Sequence, residues 1–291
     1  MLIDSHCHIQ LKGYKDDRED VLLRCRKKDV IMNAVGTQKD TSKKAVKISE
    51  DNENIYATIG LHPNHLFPME INGDDYDFVA KAEDFDEDFY RDLVKSKKVI
   101  GIGECGIDLF HLPKDVSKEE VLKRQKEIFV KQAIFAKQHD LPLVIHTRDE
   151  KKQKDGSLGM SAHDELIQTL GGLEGARGVV HCYTSDWEHA QKYLGMGLYL
   201  GFTGVITFPA KKTDPKPQED LLEVVKKCPL DRILIETDAP YLAPQKYRGK
   251  KCEPWMVEEV VKKIAEIKEK DLETVKKQVL LNTKELFTRI N

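Results

Sequence analysis

The sequence has no excess of positive charge, no long apolar run and no closely spaced pair of cysteines. Lys and Arg number 47 against 50 Asp and Glu, which gives a net charge of −3. General attraction to nucleic acid is therefore not expected, and any binding of phosphate must be local. No apolar run approaches the roughly 20 residues that span a bilayer, and the first residues lack the basic and apolar regions of a signal peptide. We therefore expect a cytoplasmic protein without membrane contact.

The six cysteines are scattered and do not indicate a zinc knuckle or a disulfide framework. Three of them are next in sequence to a residue of a metal-binding type: Cys7 to His6 and His8, Cys105 to Glu104, and Cys182 to His181. Adjacent residues of a strand face opposite sides. We therefore expect these thiols to point outward beneath the helices, as small buried residues.

Short apolar segments alternate with amphipathic segments along all 291 residues. The apolar segments are rich in Val, Ile and Leu without polar alternation, which is typical of parallel strands buried on both faces. Between them apolar residues recur every three or four positions, most clearly in 118–140. Eight such alternations without a Gly/Pro/Ser linker predict an α/β fold, a TIM (β/α)8 barrel, with residues 1–291 as a single domain. The predicted strands are 1–8, 30–36, 54–60, 98–103, 142–146, 177–182, 197–201 and 231–236.

Two connections exceed the minimal length. Residues 63–93 are strongly acidic, and we expect a surface insertion made of a solvated helix and its lead-in. Residues 149–161, rich in Lys and Gly, form a second surface insertion. One or two helices are expected in 253–290, and Ser117 and Asp186 are predicted helix N-caps.

Metal-binding residue types recur where the predicted strands end. His6 and His8 form a His-x-His whose side chains share one face of the first strand. In a parallel barrel the carboxyl ends of all strands open on one face and converge on the axis. Four imidazoles and two carboxylates exceed the needs of one ion and suit two. In the predicted centre Glu104 bridges an ion held by His6, His8 and Asp238 and an ion held by His146 and His181.

Two divalent cations about 3.5–4 Å apart can polarise a phosphoryl or carbonyl oxygen and activate a water between them. Asp238 is the candidate general base, because a carboxylate beside one ion can take the proton of that water. Asp238 and the bridging Glu104 are therefore the candidate catalytic residues. Mixed nitrogen and oxygen ligands suit Zn, Mn, Co or Ni, whereas Mg prefers oxygen.

Six motifs resemble, in order and over nearly the whole chain, those of the TatD-type deoxyribonucleases of the amidohydrolase-like superfamily. No single motif carries the resemblance, which makes it specific. The motifs are IDSHCH at 3–8, IGLHP at 59–63, IGECGID at 102–108, VIHTRD at 144–149, VHCYT at 180–184 and IETDAPYL at 235–242.

The resemblance implies a TIM barrel, divalent metal cofactors and hydrolysis of DNA phosphodiester bonds, commonly as a 3′→5′ exonuclease. DNA is then the substrate, as single strands or 3′ ends, and we expect a monomer. The resemblance also implies the metal ligands, which correspond in this sequence to His6, His8, Glu104, His146, His181 and Asp238. The two insertions depart from the compact bacterial pattern, which leaves substrate length and strand preference open.

Four residues beside the ligands are candidate substrate contacts. His62 either contacts a substrate phosphate or is structural. Arg148 is a candidate clamp for a phosphate, with a surface salt bridge as the alternative. Asp108 follows a ligand strand and is also a candidate partner of a ligand, as is Asp149. Glu236 shares a face with Asp238 and would orient a ligand or water, or form a structural hydrogen bond.

Two basic loops follow the last two predicted strands and would hold a nucleic-acid backbone without contacting base edges. Tyr241 and Tyr247 are candidates for stacking a terminal base. The basic residues are Lys211, Lys212 and Lys216 in one loop, and Lys246, Arg248, Lys250 and Lys251 in the other.

Two other functions remain open. The same centre can polarise a carbonyl, so an acyl or amide hydrolase, such as a D-aminoacyl-tRNA deacylase, is the alternative reaction. A metal-binding scaffold without catalysis is the alternative from another class, and it predicts the loss of a ligand or of Asp238. Neither is lost.

Overall fold

The computed structural model describes residues 1–72, 77–151 and 159–290. The middle of each predicted insertion, including Asp74, Asp75, Lys152 and Lys154, lies outside the described residues.

Eight parallel strands form one sheet in the order β1, β2, β3, β6, β7, β8, β9, β10. The barrel closes between β10 and β1, where Cys7 bridges Ala239 and the amide of Asp238 donates to the carbonyl of His6 at 2.9 Å. The predicted α/β barrel is therefore confirmed. The strands are β1 Leu2–Cys7, β2 Val30–Val35, β3 Ile55–Ile59, β6 Val99–Asp108, β7 Leu143–Arg148, β8 Gly178–Val180, β9 Tyr199–Phe202 and β10 Ile233–Ile235.

Helices follow the strands and cover the outside of the barrel. Ser117 and Asp186 cap α4 and α6 as predicted, accepting hydrogen bonds from the amides of Glu120 and His189. Among the described helices, none combines the length and the apolarity needed to cross a membrane. The helices are α1 Arg18–Lys27, α2 Lys39–Glu50, α3 Glu87–Val94, α4 Lys118–Gln138, α5 Ala162–Gly171, α6 Trp187–Gly195, α7 Lys216–Lys227, α8 Val257–Ile267 and α9 Leu272–Leu286.

The segment 63–93 differs from the expected helix and lead-in. It contains an antiparallel hairpin of β4 Met69–Asn72 and β5 Asp77–Ala80, and only then the helix α3. Four-residue strands are too short for their periodicity to be recognised in a sequence.

The amino-terminal half of the barrel interior is filled by apolar side chains from seven strands, and the end of the chain seals it from below. Each such side chain contributes roughly 1.5–3 kcal/mol by leaving water. Because this apolar cluster fills the amino-terminal half, the polar and ionisable groups of the interior lie at the opposite, carboxyl-terminal mouth of the barrel. The cluster contains Ile3, Tyr56, Ile100, Val144, Val179, Tyr199 and Leu234, with Leu286, Phe287 and Ile290 beneath them.

Candidate metal centre

A β-bulge in β1 directs the first two candidate ligands. The register between β1 and β2 shifts between Asp4 and Cys7, where β1 has one extra residue. Bulges change the direction of the side chains they contain. His6 and His8 are buried and bring their Nε2 atoms within 3.3 Å of each other. The two imidazoles therefore do face the same way, as their spacing predicts.

A second bulge in β6 surrounds Glu104. The sequence places Glu104 at the end of a strand, but β6 continues to Asp108, with a register shift between Ile102 and Cys105. Gly106 has φ 146°, and a Cβ there would lie 1.9 Å from the carbonyl oxygen of His146. Only glycine permits this approach of β6 to β7. The bulge thus turns the Glu104 side chain into the mouth without ending the strand.

Four donor atoms at the mouth form a compact set: Nε2 of His6, Nε2 of His8, Oε2 of Glu104 and Oδ1 of Asp238. Five of their pairwise distances lie between 3.3 and 3.8 Å. A tetrahedral ion with ligand bonds of about 2.1 Å places its donors about 3.4 Å apart. These residues therefore fit one divalent cation.

The other oxygen of Glu104 faces a different group of imidazoles. Its Oε1 lies 3.1 Å from Nδ1 of His146, 3.6 Å from Nε2 of His62 and 4.0 Å from Nε2 of His181. This is the orientation that a bridging carboxylate needs. The second donor set is looser than the first, because the ring of His181 stacks on His6 at a centroid distance of 3.5 Å.

His62 lies in this group, but its hydrogen bonding does not suit a ligand. Its Nδ1 accepts a hydrogen bond from the amide of Asn64 at 3.1 Å, so the neutral ring carries its proton on Nε2. Burial, followed by the neighbouring His146, holds the pKa of His62 well below its usual value. His62 therefore presents an N–H group, rather than a lone pair, to the centre.

Two fully buried carboxylates stand behind the ligand histidines. Oδ2 of Asp108 accepts from Nε2 of His146 at 3.0 Å. Oε1 of Glu236 lies 2.8 Å from Nδ1 of His181, and the two groups form an ion pair when His181 is protonated. Both side chains are inaccessible, which corrects the expectation that Asp108 and Glu236 contact substrate. They orient the imidazoles, as carboxylates behind metal-binding histidines commonly do.

The charges of the centre compensate one another when no metal is bound. Burial alone would lower the pKa of His146 and His181, but their carboxylate partners raise these values to about 9 and about 10. Burial alone would raise the pKa of Glu104, but the surrounding histidines, His62 first, hold it well below its usual value. A cation at this centre takes the place of such protons, so its binding releases protons and strengthens as the pH rises.

Replacement of Glu236 by Gln is expected to weaken metal binding about 10- to 100-fold, the usual effect of removing such a carboxylate. The amide keeps the size of the side chain but loses the charge that holds His181. The measurement is the Kd for Mn²⁺ or Zn²⁺ in competition with a chelator. Glu188→Gln, at an exposed position on α6, is the control, and an unchanged Kd for E236Q would contradict this role.

A cleft of about 1390 Å³ opens beside the centre, with the ring of Tyr241 6.4 Å from that of His8. The predicted contacts Arg148, Lys250 and Lys251 all line it. The guanidinium of Arg148 lies over the ring of Phe110 at 3.8 Å, and within residues 1–72, 77–151 and 159–290 it has no ion-pair partner. Tyr247 instead packs edge-on against Trp255 and is not a stacking platform in this cleft.

The basic loops carry less free charge than expected. Lys251 pairs with Asp17 at 2.6 Å, Lys216 with Asp220 at 2.8 Å and Lys246 with Glu259 at 3.0 Å. Arg248 lies over the ring of Phe208 at 4.4 Å. Within the described ranges no ion pair is found for Lys211, Lys212 or Lys250. The positive surface of the cleft therefore rests on fewer side chains than the loops contain.

The three cysteines next to the ligands and Asp149 have structural roles. Cys7 and Cys105 are buried in the core as expected, but Cys182 is half-buried with φ 46°. Its amide donates to Glu236, and its Sγ lies 3.5 Å from the hydroxyl oxygen of Thr203. Asp149 caps α5 by accepting from the amide of Ala162 at 2.6 Å, and it does not support a ligand through any hydrogen bond described.

The sequence reasoning missed two glutamines of α4 that hold the backbone around the centre. Gln125 both donates to and accepts from the backbone of Asp108, at 2.9 and 3.0 Å. Gln132 makes the same pair of bonds with Leu61, beside His62. The available signal was their position, two helical turns apart among the apolar residues of an amphipathic helix.

Comparison with known proteins agrees with this geometry. A family model described as TatD related DNase matches residues 3–288. An uncharacterized metal-dependent hydrolase of Bacillus subtilis is 36% identical over 297 residues, covering 100% of each chain. A TatD homolog from Escherichia coli has a TM-score of 0.77 and 26% identity, covering 99% of this chain and 98% of that one. A TatD family hydrolase from Entamoeba histolytica shares the fold, with a TM-score of 0.72, 21% identity and coverage of 99% and 98%.

Proposed function

The chain belongs to the TatD-related DNase family of metal-dependent hydrolases, and on that premise we propose that it hydrolyses DNA phosphodiester bonds. The proposed reaction is 3′→5′ exonucleolytic, on single strands or 3′ ends. The observation that carries the proposal is the compact set of four donors beside a large cleft whose lining contains more cationic than acidic side chains. The fold alone does not carry it, because one fold hosts many reactions.

We propose that the centre binds two divalent cations, of which His6, His8, Glu104 and Asp238 would hold one, and Glu104, His146 and His181 the other. The support is that the two oxygens of Glu104 face different histidines. Bound cations of this kind polarise a phosphoryl oxygen and lower the pKa of a water. The nitrogen and oxygen donors suit Zn, Mn, Co or Ni, and suit Mg less well.

Asp238 is the proposed general base. Its side chain is 18% exposed, whereas those of His6, His8 and Glu104 are 0%, 6% and 5% exposed. It is thus the member of the first donor set that solvent reaches most easily. Burial would raise its pKa, but the hydrogen bond from His8 and the nearby His181 hold the pKa below its usual value. The carboxylate is therefore ionised and ready to accept a proton.

His62 and Arg148 are proposed to hold the substrate phosphate. The Nε2–H of His62 lies near Glu104 and can donate to an anionic oxygen placed there. Arg148 lines the cleft, and its guanidinium plane is supported by Phe110. Guanidinium groups bind phosphate with two parallel hydrogen bonds, which fixes its orientation.

The size and lining of the cleft favour a polymer over a small ester or amide. Pockets for small molecules have volumes of about 300–1,000 Å³, and this cleft reaches about 1390 Å³. Tyr241 and Phe208 line it together with cationic side chains. Aromatic rings and cations along one groove are typical of proteins that bind single-stranded nucleic acid.

The deciding experiment is release of mononucleotides from single-stranded DNA. Oligonucleotides labelled at the 3′ or the 5′ end are incubated with protein stripped of metal and then supplied with one divalent metal at a time. We expect immediate loss of the 3′ label, with E104A as the inactive control. Intact DNA with every metal, together with hydrolysis of a D-aminoacyl ester or cyclic amide, would support the acyl-hydrolase alternative instead.

The salt dependence of binding tests the cleft. If about three or four cations neutralise phosphates of a single strand, log affinity falls against log salt with a slope near −2 to −3. Lys250→Ala is expected to flatten this slope by about 0.7, the loss of one phosphate contact. Lys251→Ala should change it less, because Lys251 is paired with Asp17.

Hydrolysis of a small phosphodiester is the control for both lysine variants, because this substrate reaches the centre without needing the rim. Both variants should cleave it at the rate of the unmodified protein. A binding affinity independent of salt, or equal slopes for K250A and the unmodified protein, would show that this rim does not guide nucleic acid.

A further inference from the structure

The seam where the barrel closes holds a buried pair of side chains, Asp4 and Thr237, behind the metal centre. Asp4 of β1 and Thr237, just after β10, are 0% and 1% exposed. The hydroxyl of Thr237 donates to Oδ2 of Asp4 at 2.6 Å, and its amide donates to Oδ1 at 2.9 Å. The two residues are 233 positions apart in the chain, so this contact exists only when the barrel is closed.

Both partners also bind the backbone of the ligand segments. Oδ1 of Asp4 accepts from the amide of His6 at 3.3 Å. The hydroxyl oxygen of Thr237 accepts from the amide of Ala239 at 3.1 Å. The pair therefore links the backbone of a ligand on the first strand to the residues on either side of Asp238.

Asp238 needs such support because of its backbone conformation. It has φ 62°, in the left-handed region that residues other than glycine seldom occupy. A conformation of this kind persists only when the surrounding contacts determine it. The surrounding contacts are the two bonds of Thr237 to Asp4 and the backbone bonds from Asp238 to His6 and from His8 to Ala239, of 2.9 and 2.7 Å.

We propose that the Asp4–Thr237 pair is a positioning device that fixes the carboxylate of Asp238 against His6 and His8. It thereby sets both the affinity of the first donor set for a cation and the position of the general base. The proposal rests on the metal-dependent hydrolysis proposed above, but the choice of DNA as substrate does not enter it. Neither side chain contacts substrate, because both are buried behind the ligands.

Two substitutions of Thr237 separate the effect of its hydroxyl group on the position of Asp238 from the effect of its side-chain volume. Thr237→Val keeps the shape of the side chain and the amide donor to Asp4. It removes the hydroxyl, which donates to Asp4 and accepts from Ala239, whereas Thr237→Ser keeps that hydroxyl. In the metal-free protein, titration with Mn²⁺ or Zn²⁺ against a chelator is expected to show Kd raised at least about tenfold for T237V. T237S should stay within about threefold of the unmodified protein.

Turnover at saturating metal gives the second readout. A displaced Asp238 lowers kcat for T237V while KM for substrate is unchanged, and T237S restores kcat. The metal titration needs no substrate, and turnover is measured with the small substrate that the unmodified protein cleaves, so failure of the DNA proposal would not obscure the result. Asp4→Asn combined with T237V should be no worse than the more impaired single variant, because both substitutions act on the same contact.

Thr283→Val is the matched control. Thr283 is equally buried, and its hydroxyl donates at 2.7 Å to the carbonyl of Val279 within α9, a helix that carries none of the ligands. T283V is expected to lower the melting temperature of the metal-free protein without changing Kd or kcat. If T237V behaves like T283V, losing stability alone, the positioning role is overturned. Unchanged Kd and kcat for T237V overturn it equally.

Discussion

Alanine in place of Glu104 is expected to lower the number of bound divalent cations and to abolish hydrolysis, while the fold stays largely intact. Glu104 faces His6 and His8 through one oxygen and His146 through the other. Its removal therefore takes a donor from both sets at once. The barrel should remain folded, because Glu104 lies at the mouth and outside the apolar cluster that fills the barrel.

Metal content by mass spectrometry, turnover and the circular dichroism spectrum together test this expectation. Glu104→Gln is the companion variant, since it keeps the volume and one neutral oxygen donor but loses the charge. We expect it to bind metal better than E104A and still to be inactive. Full activity of E104A with two metals still bound would remove Glu104 from the centre.

Asn in place of Asp238 is expected to lower kcat at least about a hundredfold at saturating metal, the usual scale for loss of a general base. This corresponds to about 2.7 kcal/mol of transition-state stabilisation. The substitution isolates the charge, because Asn tolerates the positive φ of 62° at this position as readily as Asp does. It also keeps an oxygen that can still bind a cation.

The rate of D238N is measured over a series of metal concentrations and pH values. In the unmodified protein kcat should fall as the pH drops through the lowered pKa of Asp238, because the protonated carboxyl cannot accept a proton. That acid limb should be absent in D238N. A hundredfold loss that added metal restores would make Asp238 a ligand only, and an unchanged rate would refute its assignment as base.

The sequence alone was sufficient for the barrel and for the identity of its ligand candidates. Buried parallel strands and amphipathic helices differ in hydrophobic period, and both signals are local. Since parallel strands place their carboxyl ends on one face, the sequence suffices to assign residues as distant as His6 and Asp238 to one site. Helix caps at Ser117 and Asp186 were recognised for the same reason, because a cap depends on neighbouring residues.

The orientation of side chains within that site depended on tertiary structure. The bulges around His6 and Glu104 arise from pairing between strands, so no residue count along one strand reveals them. For Asp108 and Glu236 the sequence left contact with substrate and support of a ligand open, and the tertiary structure favours support of a ligand. Each is placed behind an imidazole of a different strand, and burial there denies it contact with substrate.

Contacts between distant segments were the part that local patterns did not contain. The sequence shows Lys251 as a free cation, whereas Asp17 neutralises it across 234 positions. Asp4 and Thr237 look like ordinary neighbours of ligands until the barrel closes and brings them together. Hydrophobic periodicity and the presence of metal-binding residue types are local properties of the sequence, and they were sufficient to predict the fold and the ligand candidates. Register, burial and long-range pairing exist only between segments, and they decided which residues orient, which neutralise and which remain open to substrate.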